Sequence, residues 1–265
     1  MSFKSDTAKT NRWRKDSDAP APTPPEPPLP IDALAEDLLG LNLRGLRSIA
    51  VLWRRPRVYF DAARQIDWGD KFTPSIRLWL FFFALLSFFK VWWLGSGEGM
   101  IQAYADGFSG AQLPLPAGMT YRDIGREAVL LIFGLLPLFQ ITATVILALC
   151  FPFWGEPTTA ALRQRYLFAV IVPSASLMPI FMTVMMFVPP QSLAVYGLAL
   201  AGLTFLIDFQ SGYRGGFQTV SHPGRVWRAA LLSLCVVSVN IVTTLLAQII
   251  GVILITQKYG GSFIG

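Results

Sequence analysis

Five stretches of this 265-residue chain are long and apolar enough, or nearly so, to cross a lipid bilayer, and that limits the fold more than any motif does. They lie at about 74–95, 128–153, 166–188, 192–208 and 229–256. The first, wound as a helix, rises roughly 33 Å at 1.5 Å per residue and so covers a hydrocarbon core of about 30 Å. Prolines 189 and 190 separate the third stretch from the fourth, because proline lacks an N–H and disfavours helix in the residue before it. At roughly 17 residues the fourth is near the lower limit for a crossing, and a re-entrant segment is its alternative. With 53% hydrophobic and only 14% charged residues, the chain has too little polar surface for a water-solvated domain. The expected fold class is an all-α integral membrane protein with about five transmembrane helices over 74–256, preceded by short amphipathic surface helices.

The N-terminal arm divides in two. Residues 1–30 combine mixed charge with the proline run APAPTPPEPPLP, so they are expected to form a disordered tail and contain no apolar core of a signal peptide. Over 31–70 the pattern becomes helical: Leu34, Leu38, Leu39, Leu43, Leu46, Ile49, Ala50 and Trp53 recur at three- and four-residue steps, with Arg44, Arg47, Arg54 and Arg55 at other positions of the wheel. Pro56 suits the first turn of a second helix, in which Val58, Tyr59, Ala62, Ala63 and Ile66 share a face. Such helices suit a surface of anionic lipid, where each cation contributes about 1 kcal/mol. The alternative is a small domain packed on the spans.

Cation placement sets the orientation. Basic residues crowd the segment before the first apolar run, and Arg163, Arg165, Arg214, Arg225 and Arg228 fall in connections on the same side; Arg122, Arg126 and Lys258 remain for the other. The N-terminus is therefore expected in the cytoplasm and the C-terminus on the opposite face. The net charge of +6 reads as this topology signal, not as a nucleic-acid surface. Lys90, beside Trp92 and Trp93, is expected to reach the interface along its own stem. Cys150 and Cys235, near the reducing face, are expected to pack unpaired.

Polar residues inside apolar spans are the candidates for function, since hydrocarbon offers them no water. Gln140 and Thr144 fall on one face of the second span, Asn240, Thr244 and Gln248 on one face of the fifth, and Ser174 and Ser176 between Pro173 and Pro179 in the third. Such stripes serve helix packing or line a polar path. Asp208 is placed at the cytoplasmic end of the fourth span, leaving no carboxylate at mid-membrane for an ion-coupled transporter. Enzymatic readings find no footing: the GFSG at 107–110 and the sole histidine, His222, are assigned to opposite faces, and no zinc set or phosphate loop is recognisable. No catalytic, metal-binding or cofactor-binding residue is assigned. Arg44, Arg47, Arg54, Arg55, Arg225 and Arg228 are the candidate headgroup contacts.

Three segments carry a resemblance. LWRRPRVYFDAARQI before the first span, FWGEPTTAALRQRYLFAVIVPSASLMP between the second and third, and the loop ending TVSHPGRVWRAAL before the fifth are together similar to bacterial members of the Yip family, named for Ypt/Rab-interacting proteins. The resemblance covers about 46–255 and implies five spans and a cytoplasmic N-terminus. It also implies a non-catalytic protein of the bacterial inner membrane that organises membrane or binds a membrane-protein partner or a second copy of itself. No residue role carries over from it. The alternative reading is passage of lipid or a small solute along the polar faces of spans two, three and five.

Overall fold

The computed structural model describes residues 43–65, 68, 71–94, 98–185, 187–218 and 220–260, with backbone only at 43, 90–94, 98 and 190. The expected tail at 1–30, the first part of the amphipathic segment and the Lys90 side chain lie outside the described residues. The described elements are helical: α1 Leu43–Arg54, α2 Pro56–Ala63, α3 Ser75–Leu94, α4 Glu98–Gly110, α5 Tyr121–Cys150, α6 Ala160–Met185, α7 Leu193–Ser211 and α8 His222–Gly260. Four are long and apolar enough to cross a membrane, namely α5, α6, α8 and α7 with its π-helical continuation to Gly216. The fifth expected span, α3, has 20 residues, with its described apolar stretch at Ser75–Phe89. The fourth span is thus long enough to cross, and α3 runs over nearly the whole of the expected 74–95 stretch.

Helix ends depart from the apolar runs for local reasons. α5 starts at Tyr121, well before 128, because Thr120 and Asp123 form a reciprocal capping box that satisfies two of the first turn's open donors. α8 begins at His222, with Pro223 in its first turn, where a missing N–H costs nothing. The glycine-rich segment after Asp208 continues as helix through Ser211 and then as a π-helical turn over Gly212–Gly216. Glycine here serves close approach: a Cβ on Gly215 would lie 2.5 Å from the Phe60 ring. The expected outer loop contains α4, whose Ile101, Ala105 and Phe108 are buried at helical spacing, partly against α5.

Five helices close a ring. α3 packs on α6, α6 on α7, α7 on α8, α8 on α5, and α5 back on α3. At the end nearest the arm, the ring is plugged by an aromatic core of Tyr59, Phe60, Trp154, Tyr166 and Phe217, all 2% exposed or less. Trp154 stacks on Phe217 at 5.3 Å and meets Tyr166 edge-on at 5.2 Å, while Phe60 lies 5.4 Å from Tyr166.

The helices α1 and α2 follow the second of the two sequence readings in that they dock on the bundle. The Tyr59 hydroxyl donates to the Thr73 carbonyl at 2.6 Å, Trp53 Nε1 donates to Ser176 Oγ at 3.2 Å, and Arg214 donates to the Arg54 carbonyl at 2.9 Å. Their outward side still carries Arg44, Arg47, Arg54 and Arg55, with Leu46 and Val58 exposed among them. An amphipathic helix buries its apolar stripe against whatever offers an apolar surface, and here the ring offers one.

Candidate functional site

The polar stripes meet around a cavity of about 430 Å³ inside the ring. All five ring helices line it. Gln140 and Thr144 come from α5, Ser174 from α6, and Asn240, Thr244 and Gln248 from α8, so six of the seven residues expected on an intramembrane polar face share one site. Ser176 does not reach it. Its hydroxyl donates to the Pro173 carbonyl at 2.7 Å and accepts from Trp53, because two residues along a helix turn a side chain by about 200° from Ser174.

The wall is mostly apolar, with Trp79, Phe82 and Phe83 of α3 opposite Leu200 and Ala201 of α7. These two helices went unnoticed because they bring bulk or bare space, and neither is a polar signal. Gly197 of α7 lines the cavity, and no atom lies within 4 Å of where its Cβ would be.

Hydrogen bonding divides the polar residues into two kinds. Gln140 Nε2 donates to Asn240 Oδ1 at 3.0 Å and ties α5 to α8, while Thr244 donates back to the Asn240 carbonyl at 2.7 Å. Packing and lining are therefore carried by the same groups. An amide has two donor hydrogens and a two-lone-pair acceptor, so the Gln140 and Asn240 side chains retain capacity after their mutual bond. The Gln248 side chain, exposed, makes no hydrogen bond among the described residues. Uncommitted amides on an apolar wall suit an uncharged ligand that is mainly hydrocarbon and carries a hydroxyl or carbonyl.

Asp208 requires correction. It is not at the end of its helix; the backbone continues two turns beyond it, and its side chain is fully buried. The apolar stretch at 192–208 stops at Asp208, which placed it at an edge, whereas Gly212, Gly215 and Gly216 beyond it let the helix approach Phe60 and Ala229.

At the arm end, Arg64 bonds the Tyr166 hydroxyl at 2.7 Å and Glu156 at 3.0 Å, and Tyr166 donates to Glu156 at 2.9 Å. The bond to Tyr166 raises the Arg64 pKa above its ordinary value. Burial pushes the Tyr59 phenol up as well. Arg225 is half-buried and donates to the carbonyls of Val220 and Gln218, and the Arg228 guanidinium lies 5.1 Å over the Trp227 ring with Nε buried and unpartnered. Both are less exposed than Arg44, Arg47, Arg54 and Arg55.

Ser109 is the last residue but one of α4, which leads into Leu113 against Gly260 at the end of α8, while His222 begins α8 and bonds Tyr213 at 2.9 Å. Roughly 57 Å of helix separates the two. Among the described residues no three His, Cys, Asp or Glu are grouped to hold a metal ion, and Cys150 and Cys235 are unpaired.

No family model, no curated protein and no solved structure matches this chain.

Proposed function

We propose that this chain is a non-catalytic, ligand-holding protein of the bacterial inner membrane that takes an uncharged amphiphile into the ring cavity and serves its passage or presentation. The observation that carries this reading is the cavity itself, about 430 Å³ bounded by five helices and lined by aromatic and aliphatic walls with unspent amides. The space is half open at the side of the bundle, and the amides that line it keep hydrogen-bonding capacity beyond their mutual bond. A cavity of this size is within the range of about 300–1,000 Å³ that small-molecule sites occupy. The cation distribution supports a cytoplasmic N-terminus and an opposite C-terminus, with α3 making the fifth crossing.

Native mass spectrometry of the purified full chain tests this with hexadecanol and hexadecyl phosphate as probes. The alcohol should form a one-to-one adduct in preference to the phosphate, and Ala201→Trp, which fills the cavity, should abolish it without lowering the melting temperature. An adduct that survives Ala201→Trp, or a wild-type protein that takes up neither probe, would overturn the assignment.

A second reading is favoured by a separate observation, the outward basic face of α1 and α2. That face suits anionic lipid headgroups and gives the protein a membrane-organising role like the one its Yip-like segments imply. The three segments similar to Yip proteins supply Phe60, Trp154, Tyr166 and Phe217 to a single aromatic core, which supports treating them as one unit.

A further inference from the structure

A carboxyl group lies just beyond the cavity and has no part in its wall. Asp208 is one helical turn past Thr204, which lines the cavity from α7. Its Oδ1 is 2.6 Å from Ser174 Oγ, and Ser174 itself lines the cavity from α6. Its Oδ2 is buried and has no partner. The hydroxyls of Ser211, one turn further along α7, and of Ser233 on α8 are also buried and unpartnered. α8 runs antiparallel to α7 with Ala229 against Gly212, so Ser233, one turn on, comes level with Asp208.

The charged groups on the elements packed around α7 are engaged elsewhere. On α6, Tyr166 bonds Arg64 and Glu156, Arg163 donates to Thr158 and the Leu149 carbonyl, and Arg165 donates to the carbonyls of Ala63 and Gln65. On the π-helical turn, Tyr213 bonds His222 and Arg214 donates to Arg54. On α8, Arg225 serves two link carbonyls, Arg228 lies over Trp227, and Cys235 is two residues, about 200°, around the helix from Ser233. None of the ion pairs among the described residues includes Asp208. An isolated charge taken out of water costs far more than a neutral carboxyl does.

The Ser174 hydroxyl gives the sharper constraint. Besides Asp208, its oxygen lies 2.9 Å from the Ile171 carbonyl, which can only accept. A hydroxyl has one proton to give. Both short contacts are full hydrogen bonds only when Ser174 donates to Ile171 and accepts from a carboxylic acid on Asp208. On the side of Asp208 away from the cavity, Ser211 and Ile207 border a crevice of about 20 Å³ beside Trp53 and Pro56 of the docked arm. That is enough space for about one water molecule.

We propose that Asp208 is a buried proton-binding site, linked to the cavity through Ser174 and lying one helical turn from Ser211, which borders the arm-side crevice. The proton resides on the carboxyl, is held there by the Ser174 oxygen, and leaves or returns by way of the crevice. The site does not require an amphiphile in the cavity, so a failure of hexadecanol binding leaves it standing.

Infrared difference spectra of the full chain in lipid nanodiscs at about pH 7 test it, since exposed carboxyls are ionised there. The wild type should show a carboxylic-acid C=O band that Asp208→Asn lacks, and Ser174→Ala should shift that band upward by removing its hydrogen-bond acceptor. Asn reproduces the neutral shape and is expected to fold; should it not, the Ser174→Ala shift alone decides. A carboxylate signal in place of the acid band overturns the proposal. So does an acid band that appears only when sodium is withdrawn, which would make the site a sodium site.

Discussion

Tyr59 illustrates how one side chain holds the arm to the bundle. Its ring is fully buried between Trp68 and Phe72, and its hydroxyl donates to the Thr73 carbonyl. Tyr59→Phe should cost about 1 kcal/mol of stability at neutral pH, the net value of one hydrogen bond, measured by thermal melting in detergent. The pH dependence has a definite sign. Because burial raises the phenol's pKa, the folded state binds that proton more tightly than the unfolded chain does. Its contribution is full below the ordinary tyrosine value of about 10 and is lost as pH rises above it. Phenylalanine has no such proton, so the gap between wild type and variant should narrow in alkali. Gly215 bears a comparable burden through shape: Gly215→Ala would press a methyl into Phe60 and Pro56, at an overpacking cost of about 1–3 kcal/mol, with melting temperature as readout.

Whole elements show why some of the fold was legible in the sequence and some was not. The apolar runs of α5, α6 and α8 declare themselves because crossing a bilayer is a matter of length and hydropathy, both local properties. Polar residues at helical spacing within those runs pointed to the cavity for the same reason. What escaped was set by contact across the fold. Whether Gly212, Gly215 and Gly216 break a helix or admit a neighbour depends on Phe60 and Ala229 being there, and the depth of Asp208 depends on that outcome. The helix α4 carried a signal in Ile101, Ala105 and Phe108, obscured by its glycines and acids. On α8 the two amides of the stripe separate cleanly. Gln248→Leu should leave the melting temperature unchanged, since that side chain has no partner to lose, whereas Asn240→Leu should cost about 0.6–2 kcal/mol by releasing Gln140. Both should weaken the hexadecanol adduct if the amides face the ligand.

At the scale of the molecule, the outward face of α1 and α2 and the ring behind it are mechanically joined. Replacing Arg44, Arg47, Arg54 and Arg55 with Gln should reduce retention of phosphatidylglycerol by the purified protein, because each cation near headgroups contributes about 1 kcal/mol. Unchanged retention would remove the headgroup role. The joint itself runs through the aromatic core, so Trp154→Ala should cost about 3–5 kcal/mol and leave the arm sensitive to protease, a combination that no loss at the cavity would produce.

The docking of the arm also fixes a sequence of events during synthesis. Arg54 and the residue that clasps it, Arg214, are 160 positions apart, so α1 and α2 leave the ribosome long before their seat exists. Until the last hairpin is inserted that seat is incomplete: Ser176 and Tyr166 of α6 are in place, but Arg214 and Phe217 are not. A chain arrested before Gly212 should therefore hold its arm loosely, open to protease, and a completed chain should protect it. The first part to be made is the last to be placed.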